Sequence, residues 1–261
     1  MTQAAKKLTF EEYLTLDAED WLRLGLPEGR CEYVDGEIIA LLPESEPNQA
    51  LAEYLSFVLL NAGIPFRLIK SGDCEIEVPP VKSGDPRTRI PDLVILRPEH
   101  LPLVERRLLI TQQMLPPAVV VEAVSPGKDN RDRDYERKRA QYARRQIPEY
   151  WLLDREEDKV VVLELQGERY VELGVFKGSD RIISPTFPEL VLTAEQLLNL
   201  MEERLRQEQR QLEQRAEQAE QQAQQERLRA QQLEQMAQQE RLRAQQLAEQ
   251  LRRLGIEPEE E

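Results

Sequence analysis

Two apolar segments of this chain are each interrupted by a single carboxylate. Residues 89–96 contain Asp92 among isoleucine, leucine and valine, and residues 118–125 contain Glu122 within a run of valines and alanines. Segments that are apolar on both faces are typical of central strands in a covered sheet, where an unpaired carboxylate is costly. The pattern therefore predicts an α/β fold whose central mixed sheet holds two acids in need of a positive partner.

A divalent cation and a lysine are the positive partners that this sequence suggests. If neighbouring strands bring Asp92 and Glu122 together, repulsion and desolvation favour protonation unless a cation binds between them. Mg²⁺, or Mn²⁺ in its place, accepts carboxylate oxygens and keeps bound water, which it can activate against a phosphodiester. Lys138 shares one stripe of a predicted helix with Tyr135 and Tyr142. The spacing predicts a metal-dependent phosphodiesterase site in which Lys138 orients the attacking water or stabilises the pentavalent phosphorane.

Motifs around these residues resemble the PD-(D/E)xK nuclease superfamily and, within it, the branch of Uma-type restriction endonucleases. The resemblance covers roughly residues 8–200, and its motifs are residues 30–38, Pro91-Asp92, residues 121–126, Lys138, Tyr142 and residues 147–154. It implies a restriction-endonuclease-like mixed sheet flanked by helices, with Asp92 and Glu122 as metal ligands and Glu32 as an additional acid. The superfamily lysine usually stands two residues after the second acid, where this chain has Val124. The branch moves it to the following helix, which makes Lys138 the candidate.

The candidate residues also have purely structural interpretations. Pro-Asp is a common turn dipeptide, which would explain Asp92 without any chemistry. The stem of Lys138 can cover the neighbouring tyrosines while its ammonium reaches water. Glu32 precedes a hairpin turn signal, which accounts for its surroundings. Glu122 is the hardest to explain in this way, because glutamate is almost never buried without a partner.

Periodicity and turn signals locate the secondary structure. We expect helices at residues 8–14, 49–62 and from 129 to the residue before Pro148, a hairpin over 31–42 and a closing hairpin of 160–165 with 169–176, and further strands at 67–78, 90–96, 119–124 and 150–153. The only histidine, His100, falls in a loop-like stretch and is expected at the surface rather than as a base or a ligand.

Length and composition indicate one globular domain with an extension. The chain has 261 residues, and beyond residue 200 it contains almost only Gln, Glu, Arg, Leu and Ala. We therefore expect a nuclease domain over 1–192 and a long helix or coiled-coil tail over 193–261. Two cysteines, Cys31 and Cys74, make no disulfide framework, and without a recognisable signal peptide they favour the reducing cytoplasm. No apolar run approaches the roughly 20 residues of a membrane helix, so no membrane partner is expected.

The net charge bears on nucleic-acid binding. The chain carries −14 in total, of which −10 falls in residues 1–200 and −4 in the remainder, and this argues against a protein that coats nucleic acid. Residues 128–145 hold a local excess of four positive charges beside the predicted site. This segment either meets a phosphate backbone or forms a solvated helix with internal charge pairs.

The tail contains a two-heptad repeat. The same eleven residues occur at 223–233 and at 237–247, and the shift of 14 preserves a coiled-coil register. Leucine and alanine fill one seam position and mostly alanine the other, while Glu226 and Glu240 interrupt the seam. Thr193 and Gln196 are predicted to cap the start of the helix. The repeat favours a weak homodimer or other oligomer, with a solitary solvated helix as the alternative.

Two functions from different classes follow. The first is a divalent-metal-dependent endonuclease that hydrolyses phosphodiester bonds of DNA, with the coiled coil pairing two active sites. The second is a catalytically inactive nuclease-fold protein that binds nucleic acid or protein and uses its tail as a scaffold. Metal binding through Asp92 and Glu122 distinguishes them, because a cutting enzyme needs it and a scaffold does not.

Overall fold

The computed structural model describes residues 7–253. Two compact units follow one another along the chain, with their boundary between Met201 and Glu202. The helices are α1 (Phe10–Thr15), α2 (Ala18–Arg23), α3 (Glu46–Asn61), α4 (Lys128–Asp132), α5 (Arg139–Arg144) and α6 (Ala194–Arg253), with a π-helix at Arg133–Lys138 and 3₁₀ turns at Phe66–Leu68 and Pro98–His100.

The strands of residues 7–253 form three sheets. They are β1 (Cys31–Val34), β2 (Glu37–Ala40), β3 (Ile69–Ser71), β4 (Glu75–Glu77), β5 (Thr88–Arg89), β6 (Leu93–Ile95), β7 (Leu109–Ile110), β8 (Val119–Ala123), β9 (Glu149–Asp154), β10 (Lys159–Gln166) and β11 (Arg169–Phe176). The largest sheet has the order β11-β10-β9-β8-β6-β3, a smaller one has the order β5-β4-β7, and β1 pairs with β2.

The large sheet is mixed and covered on both faces. Strands β8 and β9 are parallel, whereas the other neighbouring pairs of this sheet are antiparallel. One face, which includes Leu93 and Val121, packs against α3. The opposite face, which includes Val94 and Val120, packs against Tyr142 of α5. Two covered faces explain the uninterrupted apolar runs, and the predicted α/β fold with a mixed sheet flanked by helices is confirmed.

Both predicted hairpins are present. The tight turn between β1 and β2 has positive φ at Asp35 (47°) and at Gly36 (92°), as a two-residue hairpin turn requires. Strands β10 and β11 pair along their length with a bulge at Val162/Leu163. The second hairpin ends the large sheet at β11, and the first packs Tyr33 against Phe10 and Tyr13 of α1.

The prediction of one strand over residues 67–78 is wrong. The segment turns at Gly72, where φ is +71°, a backbone region that favours glycine. Strand β3 before this turn joins the large sheet, and β4 after it joins the three-stranded sheet. The chain therefore uses one apolar stretch in two different sheets.

The surface location expected for His100 is also wrong. Its side chain is fully buried. Nδ1 accepts a hydrogen bond from the backbone N–H of Arg97 at 3.0 Å, and Nε2 lies 2.8 Å from the carbonyl oxygen of Leu115. Both ring nitrogens serve the local structure, because they join the turn at Pro98–His100 to the segment before β8.

The tail begins with the predicted cap. The hydroxyl of Thr193 accepts from the N–H of Gln196 at 3.2 Å, while the amide oxygen of Gln196 accepts from the N–H of Thr193 at 2.9 Å. The first turns of α6 contribute Ala194, Leu197 and Leu198 to the core of the first unit. Among residues 7–253, no helix combines the length and apolar character needed to cross a membrane.

Candidate active site

Asp92 directly precedes β6, and Glu122 is the last but one residue of the neighbouring strand β8. Strands β6 and β8 are antiparallel with Leu93 opposite Val121, so the same register continued by one residue places Asp92 opposite Glu122. The Oδ2 atom of Asp92 accepts a hydrogen bond from the N–H of Ala123 at 2.8 Å. Both acids are buried. The sheet register brings together the two carboxylates that the sequence singled out.

Lys138 contacts the second of these acids. Its Nζ lies 2.6 Å from Oε2 of Glu122, and the hydroxyl of Tyr142 donates to Oε1 of Glu122 at 2.5 Å. Only 7% of the Lys138 residue is exposed. The ammonium is therefore held by Glu122 inside the protein rather than extended from the protein surface into solvent.

Electrostatics define the ionisation of the three groups. Burial and the neighbouring charge of Glu122 raise the pKa of Asp92 to about 7. Burial also raises the pKa of Glu122, against the opposing charge of Lys138. For Lys138, burial alone would lower the pKa, but Glu122, Asp134 and Asp92 outweigh it and raise the pKa. The lysine is a permanent cation, suited to hold negative charge rather than to accept a proton.

A third acid, Asp134, supports Lys138 from within the π-helix. Its carboxylate is fully buried and lies 3.0 Å from Nζ of Lys138. Nε and Nη2 of Arg133 donate to the same carboxylate at 3.0 and 3.2 Å. Burial alone would raise the pKa of Asp134, but Lys138 and Arg133 lower it. The π-helical segment thus holds two cations around one buried anion, a local irregularity that is frequent at functional sites.

Tyr135 has a different role from the one its position suggested. Its hydroxyl donates to Oδ2 of Asp154 at 2.7 Å, and Nη1 of Arg131 lies 2.8 Å from the same oxygen. These bonds attach the start of the Lys138 helix to the end of β9. Of the two tyrosines on the predicted stripe, Tyr142 alone contacts the site carboxylate, and Tyr135 anchors the helix.

Glu32 lies on β1 and is paired with an arginine. Nη1 of Arg89 is 3.2 Å from each carboxylate oxygen of Glu32, and Nε of Arg89 donates to Oε1 of Gln141 at 2.9 Å. Glu32, Asp92 and Lys138 line one cavity of about 450 Å³. Three of the four predicted site residues therefore share a cavity, and Glu122 lies behind its wall in contact with Lys138.

The arrangement of two strand acids, a buried lysine and a polar cavity can be compared with known families. The family model Uma2, described as "Putative restriction endonuclease", matches residues 10–195. The chain belongs to the Uma2 family. The match includes Glu32, Asp92, Glu122 and Lys138, so all four candidate residues lie inside the Uma2 region.

One solved structure resembles this Uma2-family protein in fold. It is a protein from Anabaena variabilis ATCC 29413 described as a putative nuclease belonging to DUF820, with a TM-score of 0.51 and 20% sequence identity. The likeness covers 74% of this chain and 98% of that one. No curated protein gives a significant match to the sequence.

The donor atoms of the candidate site are of the kind that a hard divalent cation prefers. Asp92 and Glu122 supply carboxylate oxygens, which such cations prefer, and burial disfavours their charge unless it is compensated. Within residues 7–253, no group of three or more His, Cys, Asp or Glu side chains is placed to hold a metal. A cation here would rest on these two carboxylates, with remaining positions for water and phosphate, as is usual for Mg²⁺.

Sequence reasoning missed Asp134, Arg89 and Arg133 as neighbours of the candidate site residues. The spacing of four residues between Asp134 and Lys138 was an available signal, since residues so spaced face each other on a helix. It was hidden in the charged segment 128–145, which has the composition of a solvated helix. That segment is partly buried: Arg145, for example, donates to the carbonyl oxygens of Thr111 and Met114.

Proposed function

We propose that this Uma2-family protein is a divalent-metal-dependent endonuclease that hydrolyses the phosphodiester bonds of DNA. The observation that carries the proposal is the cross-strand pair of Asp92 and Glu122, with Lys138 bound to Glu122 at 2.6 Å beside a cavity of about 450 Å³. Family membership over residues 10–195 supports it. In the reaction, a water oxygen bonds to phosphorus, the bond from phosphorus to the leaving oxygen breaks, and a proton from the water ends on that oxygen.

Each residue has a role that follows from its surroundings. Asp92 and Glu122 would hold Mg²⁺ or Mn²⁺, which when bound supplies a more acidic water and offsets phosphate charge. The Lys138 ammonium, held by Glu122 and Asp134, orients the water or stabilises the extra negative charge of the phosphorane. Glu32 would act as the additional acid, through its position on the cavity wall and its bond to Arg89.

A second function is favoured by one specific observation. Both oxygens of Glu122 already have close partners, Lys138 and Tyr142, and this cluster is charge-compensated without a metal. A nuclease-fold protein that binds nucleic acid or protein without cutting would need this charge-compensated cluster for its structure and would need no metal. In that case the tail would serve as the interaction scaffold.

Cleavage of supercoiled plasmid DNA by purified protein separates the two functions. We expect nicked or linear product with Mg²⁺ or Mn²⁺ and none with a chelator. Glu122→Gln should reduce the rate at least roughly a hundredfold, as for loss of a positioned charge in a site of this kind, whereas Glu172→Gln on the exposed surface of β11 should cut at the wild-type rate. Equal cutting by the two variants would contradict the role of Glu122, and no cutting by the wild type would favour the scaffold.

A further inference from the structure

Arg30 lies at the junction of two cavities on either side of Asp92. It immediately precedes β1, and its backbone carbonyl accepts from the N–H of Leu41 at 2.8 Å. The catalytic cavity of about 450 Å³ is lined by Arg30, Glu44 and Asp92, and the same three residues line a neighbouring cavity of about 340 Å³. A chain that passes Asp92 from one cavity to the other would pass the Arg30 guanidinium.

Arg30 differs from the other cations of the catalytic cavity in its bonding. Lys138 lies 2.6 Å from Glu122, Arg133 lies 3.0 Å from Asp134, and Arg89 lies 3.2 Å from Glu32. Each of these cations has a carboxylate within hydrogen-bond distance.

The nearest carboxylate oxygens to Arg30, from Asp92 and Glu44, are both 3.6 Å away, which is longer than a hydrogen bond. Nη2 of Arg30 donates to the carbonyl oxygen of Ile90 at 2.8 Å. Its Nε is buried without a hydrogen-bond partner in the described part of the chain. A guanidinium has five N–H donors, so Arg30 retains donors while it is anchored in place by Ile90.

We propose that Arg30 binds a non-bridging oxygen of the phosphodiester beside Asp92 and stabilises the charge that develops there during hydrolysis. The planar guanidinium presents paired donors that match phosphate oxygens. Asp92 and Glu44 attract Arg30 without close contact, and a cation on Asp92 reduces that attraction further. This inference rests on the proposed nuclease function, but phosphate binding by Arg30 can be measured without cleavage.

The test measures binding of a short fluorescent DNA duplex to the full-length protein, in chelator, over a series of salt concentrations. Arg30→Gln should weaken binding about tenfold, the effect of losing one charge-assisted contact, and lower the slope of log affinity against log salt by about 0.9. Arg30→Lys should restore most of the affinity and the slope. Arg23→Gln, which removes an arginine with a 74% exposed side chain on α2, is the matched control and should bind as the wild type does.

Glu44→Gln separates phosphate binding from a structural ion pair. If Arg30 binds phosphate, removing Glu44 takes away a competing anion, and binding should be at least as tight as in the wild type. Looser binding by Glu44→Gln, or unchanged affinity and slope in Arg30→Gln, would overturn the proposal, as would a wild type that does not bind the duplex. Circular dichroism melting of each variant checks that it is folded.

Cleavage assays with the same proteins show which proposal fails. If the wild type cuts DNA, and Arg30→Gln binds and cuts DNA as the wild type does, the role of Arg30 is refuted and the nuclease function stands. Absence of cutting together with Arg30-dependent binding refutes the nuclease and leaves the phosphate site. If both proposals hold, Arg30→Gln should lower the maximal cleavage rate about a hundredfold.

Discussion

At the scale of single residues, Asp92 and Glu122 occupy positions where an anion is unstable without a positive partner. Lys138 compensates Glu122 directly, while Asp92 has one N–H donor at 2.8 Å and a guanidinium at 3.6 Å. Asp92 is therefore the less compensated of the two. A divalent cation would displace fewer existing contacts at Asp92 than at Glu122.

Replacement of Asp92 should abolish metal binding and leave the fold intact. We expect Asp92→Ala to lose Mn²⁺ binding in isothermal titration calorimetry and to lose metal-dependent cleavage, because half of the carboxylate pair is gone. The melting temperature without metal should change little, because relief of the desolvation of Asp92 offsets the loss of its hydrogen bond from the N–H of Ala123. Glu172→Gln serves as the surface control. An Asp92→Ala protein that cuts at the wild-type rate would contradict the metal assignment.

The pKa of His100, measured in solution, tests whether its side chain is buried. Burial and the charges of Arg97 and Arg145 lower the pKa of this imidazole, against the hydrogen bond to Leu115, and the accepting Nδ1 requires the neutral form. Since the chain has one histidine, its NMR signal can be assigned without ambiguity. The titration of the folded protein should give a pKa below 6.5.

The lowered pKa also fixes the sign of the pH effect on stability. Between the folded-state pKa of His100 and 6.5, the unfolded chain binds the proton more readily. The contribution of His100 to the free energy of unfolding is therefore complete above this range and falls as pH decreases through it. We expect His100→Gln to show a smaller loss of stability than the wild type between neutral and mildly acidic pH, measured by urea unfolding. An equal loss in both proteins would contradict the assignment.

At this scale, sequence reasoning located acids in apolar strands but not the partners that compensate them. Glu122 and Asp92 stand out because their neighbours along the chain are apolar. Asp134 stands in a charged segment and Arg30 lies between Gly29 and Cys31, outside any apolar run, so their contacts arise only when separate elements pack together. The prediction for His100 failed for the same reason, because its ring contacts the carbonyl oxygen of Leu115, 15 residues away in the sequence.

At the scale of elements, the π-helix determines where the cationic group of the site lies. The segment Arg133–Lys138 directs both Asp134 and Lys138 into the protein. The helix before it is fastened to β9 through Asp154. The sequence correctly predicted a helix here, and the π geometry could not be read from a periodicity that assumes regular turns.

The Lys138 ammonium should matter for turnover rather than for metal affinity. We expect Lys138→Ala to lower plasmid cleavage roughly a hundredfold, the loss typical of a positioned transition-state charge, with little change in Mn²⁺ affinity. Arg137→Ala removes an exposed cation of the same segment and should have little effect on the rate. Wild-type activity in Lys138→Ala would assign the role to another residue.

The attachment of this helix to β9 should contribute measurably to the free energy of unfolding. Asp154 is fully buried and bonded to Arg131 and Tyr135, so Asp154→Asn should lower the free energy of unfolding by about 2 kcal/mol, as for loss of a hydrogen bond to a charged group. Urea unfolding measures the change. Glu168→Gln, at an exposed position in the β10–β11 turn, is the control, and equal stability of the two variants would contradict the role of Asp154.

The wrong prediction of one strand over 67–78 shows what a hydrophobic pattern cannot determine about secondary structure. Its apolar residues are divided between the large sheet and the three-stranded sheet, with the change of direction at Gly72. Apolar periodicity reports that a segment is buried, but it does not report which neighbour buries it. Gly72 was the one local sign of the break.

At the scale of the whole molecule, two leucines of the predicted apolar seam of the tail are exposed. Leu233 and Leu247, which are 14 residues apart, are 59% and 60% exposed. The tail helix begins at Ala194, and its residues Leu197 and Leu198 belong to the core of the first unit. A truncation that preserves this core must therefore end near Met201, where the compact unit ends.

Removal of residues 202–261 should weaken self-association and leave the metal site folded. We expect the full-length protein to form a concentration-dependent oligomer in sedimentation velocity and the truncated protein to remain monomeric, with equal Mn²⁺ affinity. Alanine buries little area, so the association should be weak. Monomeric behaviour of both proteins over the whole concentration series would leave the tail as a solitary helix. It would also remove support for a model in which two paired sites cut two strands.

The register of β6 against β8 determines whether the two acids lie on the same face of the sheet. Successive side chains of a strand alternate between faces, so a shift of one residue on either strand would send one acid to the face covered by α3, where Leu93 and Val121 lie. A shift of two residues would keep the face but separate the acids along the strand. Insertions or deletions near this pair cannot move the site gradually. A natural or engineered change of strand length here must therefore either preserve the pair of acids or abolish it in one step.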